Sequence, residues 1–119
     1  MSGYELSKDI ISLLKDPELL IPAIAQDAHS KEVLMLAYVN KEALAQMIDT
    51  GNGTYFSRSR NEIWVKGATS GHTQEVISVS LDCDGDALLL KVHQVGAACH
   101  TGDKTCFHNP LSLNIDSAN

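Results

Sequence analysis

The spacing of apolar residues changes halfway along this 119-residue chain, and that change limits the folds it can adopt. In the first half, apolar residues recur at helical spacing in residues 5–15 and again shortly after Asn40. From Thr54 onward they alternate or form short runs, as β-strands do. The pattern therefore predicts an α+β fold, mainly antiparallel β-sheet with one or two short helices.

The first half predicts a helix followed by a hairpin. The helical spacing of residues 5–15 stops before Pro17, which cannot continue a helix. Residues 22–26 and 33–39 are apolar runs too short for most helices, and a polar stretch separates them. We expect these two runs to be the paired strands of a hairpin.

A second helix is predicted directly after the hairpin. Asn40 is a favourable N-cap, and Gly51 lies where a helix commonly ends. The apolar residues at helical spacing between them form the predicted buried stripe: Leu44, Met47 and Ile48.

Four apolar runs in the second half predict strands, at residues 55–56, 63–65, 76–81 and 88–92. Asp84-Gly85 lies between the last two runs and is a strong hairpin signal. No internal repeat, low-complexity segment or linker interrupts the chain. Residues 1–119 are therefore predicted to form a single domain.

All three cysteines lie in the last third of the chain, beside a cluster of carboxylates. Thiolates are ligands for Zn²⁺, and carboxylates without nitrogen neighbours suit Mg²⁺. Three protein ligands would leave zinc a fourth position for water, as catalytic zinc requires. The candidate metal ligands are Cys83, Cys99 and Cys106 for zinc and Asp82, Asp84 and Asp86 for magnesium.

The carboxylate cluster also admits a plainer interpretation, a solvated Asp-Gly turn without a metal. A calcium loop of the EF-hand type is excluded, because His93 stands where its final Glu would be. If residues 82–84 are extended, Asp82 and Asp84 point to one face and Cys83 to the other, so one turn would serve two metals.

Both arginines of the chain fall in the tetrapeptide SRSR, and hydroxyl-bearing residues follow it. Arg binds phosphate bidentately, and Ser and Thr hydroxyls complete such a site, although a solvated strand face has the same composition. Alternation would put the serines and the arginines on opposite faces. Trp64 either stacks on a base or belongs to the core. The candidate substrate contacts are Ser57, Arg58, Ser59, Arg60, Trp64, Lys66, Thr69 and Ser70.

Composition excludes some partners and favours one compartment. The net charge of −6 disfavours nucleic-acid binding, and no apolar run approaches a membrane span. Because the N-terminus lacks a secretory signal, we expect a cytoplasmic protein, whose cysteines bind metal or act in catalysis rather than form disulfides.

Three motifs together identify a family. SRSRNEIWVKGATSGHTQ, DCDGD and GAACHTGDKTCF, in this order and spacing, closely resemble the phosphoribosyl-AMP cyclohydrolases of histidine biosynthesis. The resemblance runs from about residue 20 through Phe107. It departs from the family pattern at Ala97, where Pro is usual, and at Thr105, where Ser is usual. The family is often fused to a pyrophosphohydrolase domain, for which this chain has no room.

The resemblance implies a homodimer with active sites at the subunit interface and one zinc and one magnesium per subunit. Cys83 of one chain would join Cys99 and Cys106 of the other around zinc, and the three aspartates would hold magnesium. The substrate implied is 1-(5-phosphoribosyl)-AMP. A zinc-activated water would break the bond between N1 and C6 of the purine and give the formimino-imidazolecarboxamide bis-ribotide.

A general base is expected as well, because three thiolates donate charge to zinc and weaken its Lewis acidity. His100, next to a cysteine ligand, is the first candidate. His72, in the TSGH segment, is the second, unless it is structural or binds substrate. His29, His93 and His108 have no comparable motif context.

Two other functions would use some of the same residues. A zinc nucleoside deaminase would carry His-x-Glu and Pro-Cys-x-x-Cys motifs, which are absent here. A non-enzymatic module with an interchain zinc would explain the cysteines, but it would leave the basic, hydroxyl-rich SRSR region and the three aspartates without a role. Substitution of Cys83 distinguishes such a module from an enzyme. A dimer held together only by zinc would dissociate, whereas an enzyme would lose turnover and keep much of its dimer.

Overall fold

The computed structural model describes residues 3–114 and confirms the α+β architecture, with two short helices and mainly antiparallel strands. The elements in chain order are α1 (Lys8–Leu13), β1 (Ile21–Asp27), β2 (Val33–Val39), α2 (Lys41–Thr50), β3 (Thr54–Ser57), β4 (Glu62–Val65), β5 (Gln74–Leu81) and β6 (Leu88–Gln94).

The strands form a four-stranded sheet in the order β2-β1-β6-β5 and a separate two-stranded sheet of β3 and β4. The predicted hairpin of β1 and β2 is confirmed, and β5 and β6 form a second antiparallel pair. One pairing was not predicted: β1 and β6 run parallel in the centre of the sheet, with Ala23 opposite Leu88. That register places the start of β6 and the end of β5 at one end of the sheet.

The first helix is shorter than the spacing of residues 5–15 indicates. Ser7 caps it, and the serine Oγ accepts a hydrogen bond of 3.2 Å from the Ile10 N–H. The helix ends at Leu13 because Leu14 turns to an extended backbone and inserts its side chain into the core. Leu13 itself stays 65% exposed.

The second helix has the predicted ends. The Asn40 side chain accepts a hydrogen bond of 2.8 Å from the Ala43 N–H, and Gly51 closes the helix at a φ of 75°. The predicted buried stripe is confirmed at Leu44 and Met47 but wrong at Ile48, which is 47% exposed. Neighbouring elements cover the first two side chains, whereas Ile48 borders an open groove.

A β-bulge makes Ile77 the extra residue of β5. Val76 pairs with Val92 and Ser78 pairs with Lys91, so two steps on β5 oppose one step on β6. Ile77 is consequently displaced from the core-facing set and is 58% exposed. The same groove that Ile48 borders is lined by Ile77 and by Leu13 of α1.

Candidate metal centres and active site

The carboxylate cluster lies in the turn between β5 and β6. The Asp82 N–H donates to the Ala87 carbonyl at 2.9 Å, and the Gly85 N–H donates to the Asp82 carbonyl at 3.1 Å. Residues 82–84 are therefore not extended, and the expectation that they alternate between two faces is wrong. The turn nevertheless brings oxygens of Asp82, Asp84 and Asp86 within 4.8 Å of one another.

Two contacts organise these carboxylates. The Asp86 N–H donates to Asp82 Oδ1 at 3.0 Å, and this bond is the main cause of a lowered Asp82 pKa. Lys15 Nζ lies 3.6 Å from Asp86 Oδ2, and the Lys15 N–H donates to the Gly85 carbonyl at 2.9 Å. Three accessible oxygen donors this close fit a hard divalent cation such as Mg²⁺. Within residues 3–114, they are the one such group of three or more His, Cys, Asp or Glu side chains.

Two of the three cysteines lie on a loop that is pinned to the start of β2. The Cys106 N–H donates to the Leu34 carbonyl at 2.7 Å, and Thr105 Oγ1 donates to the Val33 carbonyl at 2.8 Å. The Cys99 N–H donates to the Asp103 carbonyl at 3.1 Å and closes the loop on itself. These contacts attach residues 96–106, the cysteine loop, to an edge strand of the sheet.

The electrostatics of this loop favour thiolate at Cys99. Hydrogen bonds lower the pKa of Cys99 from 9.0 to about 6; those from Thr101 contribute most, and the one from His108 adds to them. Cys106 differs, because burial and the neighbouring Cys99 raise the pKa of its thiol. Of these two thiols, Cys99 is therefore the one that ionises more readily. Sulfur donors of this kind fit Zn²⁺.

Cys83 lies at the opposite end of the sheet from the other two cysteines. It belongs to the turn before β6, whereas Cys99 follows the end of β6. Leu34, which anchors Cys106, also lies near the end where β6 finishes, because Gln26 pairs there with Val33 of β2 and with Lys91 of β6. Seven residues of strand span about 20 Å. Within one chain, the fold therefore does not bring the three thiols together.

The predicted base His72 packs against the cysteine loop. A Cβ at Gly96 would meet its imidazole, whose nearest atom would be 2.7 Å away, so the ring lies directly on that glycine. Lys66 Nζ donates to the Ala98 carbonyl at 2.5 Å. His100, the other predicted base, is exposed beside Cys99. The fold thus brings the TSGH segment and Lys66 to the loop of residues 96–106.

The SRSR segment is a turn rather than an alternating strand, because β3 ends at Ser57. The expectation that alternation separates its serines from its arginines is therefore wrong. Ser57 Oγ lies 3.4 Å from Ser59 Oγ, and the Arg60 N–H donates to Ser57 Oγ at 3.2 Å. Arg58 stacks 4.1 Å above the ring centroid of Tyr38. The Arg60 guanidinium pairs with Glu62 at 3.5 Å on the surface.

The remaining predicted contacts lie nearby. Thr69 and Ser70 are exposed in the turn after β4, and Ser70 Oγ accepts the His72 N–H at 3.1 Å. Trp64 is partly buried, and its ring lies tilted at 5.0 Å from the Tyr55 ring. This packing fits the core interpretation of Trp64, while its contact with a substrate stays a prediction.

One residue near the site was missed by sequence reasoning. His108 Nε2 lies 3.6 Å from Cys99 Sγ and 3.4 Å from Asp103 Oδ2. A nine-residue separation from Cys99 gives no periodic signal in a loop, so only the loop fold reveals the contact.

Comparisons with known proteins show the family to which this chain is related. The family model described as phosphoribosyl-AMP cyclohydrolase matches residues 35–108. A phosphoribosyl-AMP cyclohydrolase of Clostridium botulinum is 61% identical over 93% of this chain and 99% of its own length. One of Thermobifida fusca is 60% identical over 90% of this chain and 95% of its own. A bifunctional histidine-biosynthesis protein of Deinococcus radiodurans is 56% identical over 87% of this chain, which covers 47% of that protein. In residues 3–114, no helix is long and apolar enough to cross a membrane.

Proposed function

The chain belongs to the phosphoribosyl-AMP cyclohydrolase family, and on that premise we propose that it opens the purine ring of 1-(5-phosphoribosyl)-AMP by hydrolysis of the N1–C6 bond. The product would be the formimino-imidazolecarboxamide bis-ribotide of histidine biosynthesis. The observation that carries the proposal is the pair of donor sets in one chain: three convergent carboxylates, and a cysteine loop in which Thr101 and His108 contact the Cys99 sulfur.

The zinc site of this proposal is shared between two subunits. Sulfurs on one zinc lie within about 4.6 Å of each other, twice the Zn–S bond length. Cys83 and Cys99 flank β6 at its two ends, about 20 Å apart along a seven-residue strand. Cys83 of one subunit would therefore meet Cys99 and Cys106 of the other. Each homodimer would then hold two zinc ions.

The surface beside Cys83 supports such an assembly. An open groove between α1, α2 and β5 has Cys83 at its edge and is lined by the exposed side chains of Leu13, Ile48 and Ile77. Exposed apolar side chains that cluster in this way are typical of protein interfaces. The groove lies where the second subunit must approach to complete the zinc site.

The substrate carries two phosphates, and two parts of the site would meet them. Magnesium held by Asp82, Asp84 and Asp86 would neutralise phosphoryl charge or orient the substrate. The basic and hydroxyl side chains near the cysteine loop would bind phosphate and ribose; those proposed are Ser57, Arg58, Ser59, Arg60, Lys66, Thr69 and Ser70. Arg60 would have to leave Glu62, whereas Lys66 is already held at the loop by the Ala98 carbonyl.

The chemistry requires a nucleophile at C6 and a proton for N1. Alkylation at N1 makes C6 electrophilic, and zinc would supply Lewis-acid activation of the attacking water. His100 and His72 are the proposed proton carriers, which would accept the proton of the water and return it to N1. His72 lies against Gly96 at the base of the cysteine loop, and His100 projects from the loop itself.

The test is a direct assay of ring opening. Purified protein is incubated with phosphoribosyl-AMP and magnesium, with and without a zinc-selective chelator, and the purine absorbance is followed. The expected result is ring opening that the chelator abolishes and added zinc restores. Zinc-loaded dimer that leaves the substrate intact would overturn the proposal and favour an interchain zinc that only staples two subunits.

A further inference from the structure

Two side chains near the Cys99 sulfur, Thr101 and His108, can each donate a hydrogen bond to the sulfur or to Asp103. Thr101 Oγ1 lies 3.1 Å from Cys99 Sγ and 2.8 Å from Asp103 Oδ2. His108 Nε2 lies 3.6 Å from Cys99 Sγ and 3.4 Å from Asp103 Oδ2. The four side chains form a closed ring of possible hydrogen bonds around one sulfur.

The effect of His108 depends on how many protons these side chains can donate to the two acceptors. A threonine hydroxyl has one proton and donates to one acceptor at a time. When the Thr101 hydroxyl donates to Asp103, His108 can take its place at the sulfur, beside the Thr101 backbone N–H and the Cys106 thiol. With both donors present, the carboxylate and the sulfur are each satisfied in either arrangement. Without His108, the Asp103 carboxylate competes with the sulfur for the single Thr101 proton.

The backbone explains why His108 reaches the sulfur. The Phe107 N–H donates to Thr105 Oγ1 at 3.0 Å, and the Thr105 hydroxyl is itself held on β2 at the Val33 carbonyl. This turn directs the chain back toward Cys99 directly after Cys106. The His108 side chain is 31% exposed, so it packs on the loop without filling the core.

We propose that His108 is a positioning residue for the zinc centre, whose Nε2–H orients the Cys99 sulfur and withdraws charge from it. This proposal rests on the proposed function, in which Cys99 binds zinc. Groups that hydrogen-bond to a metal ligand fix its orientation and tune the metal, and their loss typically weakens metal binding 10- to 100-fold. Charge withdrawal from one sulfur also offsets the loss of Lewis acidity that three thiolates cause.

The test uses the zinc-loaded dimer and three variants. His108→Phe keeps a ring and removes the donor, whereas His108→Gln places an amide N–H near the position of Nε2. His29→Phe, in the turn between β1 and β2, is the matched control for loss of an exposed histidine. Zinc release to a chromophoric chelator is timed, and the thiolate-to-cobalt charge-transfer band is recorded after cobalt replacement.

The expected result is zinc release about tenfold faster in His108→Phe, with a shifted cobalt band. His108→Gln and His29→Phe should resemble the parent in both readings. Equal release rates in His108→Phe and the parent would overturn the proposal. Equal damage in His108→Phe and His108→Gln would also overturn it, because a direct nitrogen–metal bond, and not a hydrogen bond, would then be lost.

A separate variant distinguishes this outcome from failure of the proposed function. Cys99→Ser should abolish stoichiometric zinc binding if Cys99 is a ligand. A Cys99→Ser protein that retains all its zinc would overturn both the shared zinc site and the role of His108. Zinc lost in Cys99→Ser but unaffected in His108→Phe would overturn the role of His108 alone.

Discussion

Tyr55 and Gln74 are both fully buried, and the tyrosine hydroxyl donates a hydrogen bond of 2.5 Å to Gln74 Oε1. The bond links the two-stranded sheet to the first residue of β5. The amide of Gln74 is satisfied at its other end as well, since Nε2 donates to Gln94 Oε1 at 2.9 Å and approaches Met35 Sδ at 3.3 Å. Burial also raises the pKa of Tyr55 above its ordinary value, so the hydroxyl remains a donor.

Removal of the Tyr55 hydroxyl should therefore destabilise the protein. Tyr55→Phe leaves Gln74 Oε1 buried without its donor, and such an acceptor costs about 1–3 kcal/mol. Urea unfolding at fixed protein concentration measures the change, with Tyr38→Phe as control because that ring is only partly buried. A loss in Tyr55→Phe no larger than that of the control would contradict the expectation.

Gly85→Ala should lower the free energy of unfolding more than Gly71→Ala does. Both have positive φ, 72° and 81°, so alanine at either costs backbone strain of about 1–3 kcal/mol. A Cβ at Gly85 would also overlap the Leu13 carbonyl oxygen, whereas nothing lies within 4 Å of one at Gly71. Overpacking should add about 1–3 kcal/mol in Gly85→Ala. Equal unfolding free energies for the two variants would count against the close packing of α1 on this turn.

The Cys99 thiol should titrate near neutral pH in the metal-free protein. The ultraviolet absorbance of thiolate should show a midpoint at about pH 6 instead of near 9.0. Because the folded pKa is lowered, the stabilisation is present above the ordinary pKa and is lost as pH falls through about 6. Thr101→Val removes the largest cause and should raise the midpoint, whereas Thr50→Val should not. An unchanged midpoint in Thr101→Val would assign the shift to another group.

Two inactive variants should restore activity when their subunits are mixed. In the proposed dimer, a heterodimer of Cys83→Ser and Cys106→Ser would have one intact zinc site, so random mixing should return roughly a quarter of the parent turnover. A heterodimer of Cys99→Ser and Cys106→Ser has none, and this pair is the control. Ring-opening assays after joint refolding measure both. No ring-opening activity in the first mixture would contradict a zinc site shared between subunits.

Asp84→Asn should raise the magnesium concentration required for activity. An amide is a weaker ligand for a hard cation than a carboxylate, so we expect an increase of about tenfold or more. Asp9→Asn, on α1, is the control for loss of an exposed negative charge. Activity is measured across a magnesium titration at fixed zinc. Superimposable magnesium titration curves for the parent and Asp84→Asn would show that Asp84 does not bind the magnesium ion.

Local signals in the sequence predicted most of the elements, because caps and turns depend on a few adjacent residues. Asn40, Gly51 and the Asp84-Gly85 turn all lie where expected. Apolar spacing proved less informative about burial. Ile48 and Ile77 are both apolar, yet they are 47% and 58% exposed, because the spacing of apolar residues does not tell whether a neighbouring element covers them.

The candidate site was predictable to a similar extent. Residue types and motif order indicated the two donor sets, whereas the approach of His108 to Cys99 depends on how a loop without periodicity folds. The conditional argument about alternating faces failed at residues 82–84 and in SRSR for one reason. Both segments are turns, and the alternation of side chains holds only in extended backbone.

The parallel pairing of β1 with β6 has a consequence for how the chain folds. Ala23 and Leu88 are about 65 residues apart in sequence yet adjacent in the centre of the sheet. Such a high contact order slows folding, since the loop must close before its contacts form. During synthesis, the central pair cannot form until β6 has left the ribosome. The cysteine loop follows β6 in the chain, so Cys99 and Cys106, the proposed zinc ligands, should become ordered only after the sheet that separates them from Cys83 has closed.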